Sequence, residues 1–282
     1  MIVGVAVCPG APFLVAGLAP ALERSARGLS DTCAAAVARL AGADRILLIT
    51  SGPRARDLGV PAARRSVLHP SGTTVTSAPL TDSRLPPLFE GRLAGGSDLG
   101  AAPIAGAPVP LFPRVGMSPG VGVIVGAALL AQSHLEIPTV AIELAAAAAD
   151  ADAGAGLQGA ADAVDPALDL LHAACRSSDR VALLVVADGS ASRGPDSPGG
   201  GHLGAAPLDA ALAAALASGS PRDLADAVDF VGDDAGALLF TSGPAFAALA
   251  DLTAATPPGR ATLFYDDAPL GIGYLVATWS WS

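Results

Sequence analysis

The sequence contains no lysine and no asparagine, and all 16 of its cationic side chains are arginine. Without lysine there can be no phosphate-loop lysine and no Schiff base. Without asparagine there can be no N-glycosylation acceptor and no Asn-containing triad. Cysteine is scarce: Cys8, Cys33 and Cys175 lie far apart and form no C-x-x-C pair. An odd number without a pairing pattern argues against a disulfide framework, so the three are read as reduced core thiols of a cytoplasmic protein. Charge is sparse as well, at 15% of residues, with a net charge of −10. An acidic surface repels phosphate backbones and anionic lipid heads, so no nucleic-acid or membrane partner is expected. The longest charge-free stretch, residues 115–133, is interrupted by Pro119 and four glycines. Its continuous apolar part, 121–131, is too short to cross a bilayer and reads as a buried helix. No basic leader precedes the first apolar run, and a soluble chain is expected.

What the sequence does contain is apolar: 51% of 282 residues, enough for one large α/β domain spanning 1–282. Residues 2–8 (IVGVAVC), 45–50 (RILLIT), 139–144 and 180–187 (RVALLVVA) are short β-branched runs closed by turn residues, the pattern of buried strands. Helical spacing appears at 18–41, 120–133, 208–217, 221–229 and 233–252, with another helix ending near Cys175. Two more strands are predicted at 260–265 and 271–279. Apolar strands alternating with helices imply a three-layer α/β/α domain with a central mixed, largely parallel sheet. Residues 54–113 are rich in Pro, Gly, Ser and Thr, with short strand candidates at 73–76 and 107–112.

Ligand sites in open α/β sheets lie beyond the carboxyl ends of the strands. That rule selects CPGAP from Cys8, TSGPR from Thr50 and ADGSASR from Ala187. The candidate ligand-binding residues are therefore Cys8, Ser51, Arg54, Asp188, Ser190, Ser192, Arg193 and His202, with His202 and Asp188 the candidates for catalysis. The competing reading is that these Gly-Pro and Asp-Gly clusters only turn the chain. Gly120-x-Gly122 lacks the preceding strand of a dinucleotide fingerprint and reads as helix packing. No G-x-S-x-G elbow surrounds Ser190 or Ser192. His172, on an apolar helix, reads as structural, and the pairs Asp233-Asp234 and Asp266-Asp267 read as solvated helix and turn starts.

The CPG, TSGP and ADGSAS turns, the Pro207-Leu208-Asp209 helix start and the closing APLGIGYLVATW strand follow one another in an order that resembles the class III extradiol ring-cleavage dioxygenases. This is the LigB-like group, whose fold includes the MEMO proteins; more specifically, the sequence looks like its Ala-rich bacterial members. The resemblance implies Fe(II) held by a histidine after each of the first two strands and a late glutamate, with a further histidine as acid/base. At those positions this sequence has Pro9 or Cys8, then Arg54 or Ala55, and Arg193 in the Gly189–Arg193 turn. Asp233 or Asp234 would stand for the late carboxylate. Proline has no ligating side chain and guanidinium has no lone pair to offer a metal, so the iron centre is expected to be absent. Arg54 and Arg193 would then form a mouth for a small anionic ligand, an aromatic one being the other option, and Arg193→Ala would weaken an anion while costing under about 0.5 kcal/mol. Two alternatives stand beside this. One is an active Fe(II) ring-opening enzyme with a site rebuilt from Cys8, His202, Asp188 and Asp233 or Asp234. The other is a non-catalytic partner subunit or homo-oligomer contacting another chain through residues 54–113.

Overall fold

The computed structural model describes residues 1–16, 19, 22, 27–52, 56–59, 66–68, 74–76, 120–145, 166–176 and 179–281. The strands are β1 (Ile2–Cys8), β2 (Arg45–Gly52), β3 (Arg56–Gly59), β4 (Ser66–Leu68), β5 (Thr74–Thr76), β6 (Thr139–Ala145), β7 (Val181–Val186), β8 (Arg260–Asp267) and β9 (Tyr274–Ser280). The helices are α1 (Arg27–Ala38), α2 (Val121–Gln132), α3 (Pro166–Cys175), α4 (Ala205–Ser218), α5 (Pro221–Asp229) and α6 (Gly243–Ala254).

Seven strands form one mixed sheet in the order β3-β6-β2-β7-β1-β9-β8, and β4 pairs with β5 separately. β6, β2, β7 and β1 are mutually parallel, while β3 and β9 run antiparallel to their neighbours. This is an α/β/α sandwich. α1 and α2 cover one face through Leu29, Cys33, Val37, Val123 and Leu129, packed on Ala6, Leu48, Leu184 and Val276. The other face is covered by α3 to α6 through Leu171, Leu212, Leu216, Leu224 and Phe246, packed on Val5, Leu47, Leu183 and Ala277. Because both faces are covered, the central strands read as unbroken apolar runs instead of alternating ones. Each fully buried Leu, Ile or Val on them contributes about 1.5–3 kcal/mol relative to exposure.

Gly126 lets α2 lie close on the sheet, because a Cβ there would collide with Leu48 and approach Val186 Cγ2 to 3.1 Å. At Gly122 a Cβ would meet Thr50, so the glycine spacing serves packing, as expected. No helix among the described residues is long and apolar enough to cross a membrane.

Two predicted boundaries need correction. The helix expected over 233–252 is broken: residues 232–235 form a 3₁₀ turn, Leu239 takes φ 47°, and α6 begins at Gly243. Pro244 has no N–H to give the carbonyl of residue 240, so the helix must restart there. Phe240 folds inward and stacks on Phe246 at 6.2 Å instead. The helix predicted over 18–41 is described as α1 only from Arg27, and it ends at Ala38 in a succession of tight turns. The strand candidate at 107–112 lies outside the described residues, whereas 73–76 contains β5.

Candidate functional site

The carboxyl ends of β1, β2, β6 and β7 carry a row on the α1/α2 face that turns polar toward β6. In register across the sheet stand Glu143, Thr50, Val186 and Cys8. Asp188 follows two residues after Val186, just past the end of β7. Glu143 and Thr50 are both buried beneath the start of α2, where a Cβ on Gly120 or Gly52 would collide with the Glu143 carboxyl.

Asp188 is half-buried at the rim. Its Oδ1 accepts the Gly10 N–H at 2.9 Å, and its own N–H donates to Ser242 Oγ at 2.9 Å. Ser51 Oγ accepts the Ala245 N–H at 3.1 Å, so the first turn of α6 ties the ends of β2 and β7 together. Burial pushes the Asp188 carboxyl up to about 6, and the Gly10 N–H offsets only part of that. Tyr274, 2% exposed, is raised first by burial and then by the Asp188 charge, which keeps its phenol neutral. Phe13 meets the Tyr274 ring edge-on at 5.7 Å. The result is a partly buried carboxylate at the strand-end rim, suited to accept a hydrogen bond or a proton from a hydroxyl group.

A second cluster is closed. Asp209 on α4 is 1% exposed and accepts three hydrogen bonds: from Ser190 N–H at 2.7 Å, Ser190 Oγ at 3.0 Å and Arg193 Nη1 at 2.9 Å. Burial nevertheless raises the Asp209 carboxyl, outweighing these donors. A Cβ on Gly189 or Gly273 would collide with this carboxyl, so glycine at both positions makes room for it.

The predicted residues therefore fall into separate places. Asp188 and Ser51 share the strand-end rim through α6. Ser190 and Arg193 belong to the Asp209 cluster, where the Arg193 charge is already matched. Ser192 is fully buried and donates to the Ala237 carbonyl at 3.2 Å. His202 Nδ1 accepts the Gly204 N–H at 3.1 Å, capping the approach to α4. Cys8 is fully buried against Cys33, and their hydrogen bond, together with burial, pushes its thiol up. Asp233 and Asp234 lie in the 3₁₀ turn at 232–235. Arg54 and Ala55 lie outside the described residues. His172 meets Asp251 at 2.6 Å, and Asp267 accepts the Ala268 N–H at 2.7 Å in the β8–β9 turn; both are the structural roles expected.

Among the described residues, no three His, Cys, Asp or Glu side chains converge so as to hold a metal ion. Sequence reasoning missed Glu143, Thr50, Ser242 and Tyr274. The Thr and Glu inside otherwise apolar strands at 50 and 143 were the available signal. No family model matches the chain, and no curated protein matches it.

Proposed function

We propose that the chain is a LigB-like protein of the class III extradiol dioxygenase kind that binds a small hydroxylated, preferably aromatic, ligand at the strand-end rim without the family's iron centre. The observation that carries the reading is Asp188, a half-buried carboxylate at the strand-end rim, raised to about 6 and held by the Gly10 N–H, whose charge is felt by the buried Tyr274 phenol. A ligand hydroxyl donating to Asp188 satisfies a charge that burial leaves costly. A hydroxyl donor suits the site better than an anion, because Arg193 is committed to Asp209 and the exposed edge of the site is itself a carboxylate.

The donor set at the positions matched to the family's histidines does not fit ferrous iron. Pro9 offers no ligand atom, Arg193 offers a cation, and the Cys8 thiol is held protonated against Cys33. No step is therefore assigned to iron. The test is a titration of the purified protein with phenol, catechol and anisole, followed by nuclear magnetic resonance or calorimetry. Phenol and catechol should bind at least fivefold more tightly than anisole, and Asp188→Ala should abolish that preference. Equal affinity for all three, or stoichiometric iron retained after anaerobic Fe(II) loading and dialysis, would overturn the reading.

A further inference from the structure

At the opposite edge of the sheet, near the start of β1, lies a small cavity of about 100 Å³. Two cross-strand rows on the α1 face supply most of its floor, Ala6 excepted. Gly4, Ser280 and Arg260 are paired across β1, β9 and β8, and one step further along Ala6, Thr278 and Thr262 are paired likewise. Arg39, just past the end of α1, closes the other side, with its guanidinium carbon 4.9 Å from the Phe264 ring centroid. The space exists because Gly4 has no side chain where the neighbouring strands place Ser280 and Arg260.

The chemistry of the lining is one-sided. Two arginines and three hydroxyl-bearing residues, Thr262, Thr278 and Ser280, line the cavity, and no acidic residue does. Neither Arg39 nor Arg260 has a carboxylate partner among the described residues. Thr278 is only 7% exposed, and its hydroxyl makes no hydrogen bond among the described residues. In a chain of net charge −10, two arginines without a carboxylate partner on one small cavity concentrate positive charge there. Guanidinium groups bind tetrahedral oxyanions through paired, charge-assisted hydrogen bonds, and a neighbouring hydroxyl adds a further donor. Stacking over Phe264 limits the swing of Arg39 and lowers the entropy lost on binding.

We infer that the cavity between Arg39, Arg260 and Thr278 is a binding site for a phosphate group, distinct from the strand-end rim. Its size is sufficient for one phosphate group. The group is either free phosphate or the terminal phosphate of an organic monoester whose remainder projects into solvent.

Calorimetric titration with inorganic phosphate and with glycerol 3-phosphate, at matched ionic strength in chloride, tests this. Saturable 1:1 binding is expected, weakened at least fivefold by Arg260→Ala and by Arg39→Ala but unchanged by Arg222→Ala on α5. Gly4→Ala should also weaken binding: its added methyl meets Leu40 Cδ2 at an ordinary 3.5 Å, so the protein folds while the cavity shrinks. Tighter binding of glycerol 3-phosphate assigns the site to a monoester, and tighter binding of phosphate to the free anion. No saturable binding of either, or wild-type affinity retained by Arg260→Ala or Arg39→Ala, overturns the inference.

Discussion

Replacing Asp188 by Asn removes a charge while keeping an oxygen to accept the Gly10 N–H. The native carboxyl is pushed from the ordinary 3.8 up to about 6. Each pKa unit corresponds to about 1.4 kcal/mol, so ionising Asp188 in the folded protein costs up to about 3 kcal/mol relative to the unfolded chain. Its partial opening to solvent reduces the expected value to about 1–2 kcal/mol. The sign follows from proton occupancy. Between about pH 4 and pH 6 the native state holds a proton that the unfolded chain has released, so stability falls as pH rises through this window and levels off above it. Asp188→Asn should therefore be more stable than the wild type by about 1–2 kcal/mol near pH 8, and the gain should vanish near pH 4. Urea denaturation of both proteins across this range measures the difference directly, and other titrating groups cancel in the subtraction. A variant equally or less stable near pH 8, or a difference independent of pH, would refute the account of Asp188 as a carboxylate held at a cost in stability.

Other outcomes follow from the packing. Asp209→Ala strands the Arg193 charge and two Ser190 donors, and should cost about 3 kcal/mol in denaturant unfolding. Arg193→Ala leaves Asp209 buried with Ser190 alone, so it should cost about 1–3 kcal/mol, well above the value expected for an exposed loop residue. Trp279→Phe loses the indole N–H bond to the Leu216 carbonyl, 2.8 Å long inside the core, and should cost about 1–3 kcal/mol. Gly126→Ala drives a methyl into Leu48, which is itself fully enclosed; thermal unfolding should show a loss of about 1–3 kcal/mol.

The layered architecture was legible in the residues themselves. Runs such as VALLVV at 181–186 can be satisfied only between two apolar layers, and the spacing at 221–229, with Ser220 capping Asp223, could form little but a helix. The selection of strand-end turns was legible too, and it reached Asp188 and Ser51. Local pattern could not reveal partners distant in the chain. Arg193 looked like a free cation in a glycine-rich turn until α4 brought Asp209 to 2.9 Å from it. Tyr274 came within electrostatic reach of Asp188 only because β9 inserts antiparallel beside β1. Periodicity and turn chemistry act over a few residues, so the sequence alone determined the central strands, most of the helices and the faces they bury, but not β3, β4 or the start of α6. Whether a given charge is spent on a neighbour or left for a ligand depends on contacts between segments tens to hundreds of residues apart, and only the tertiary structure decided that.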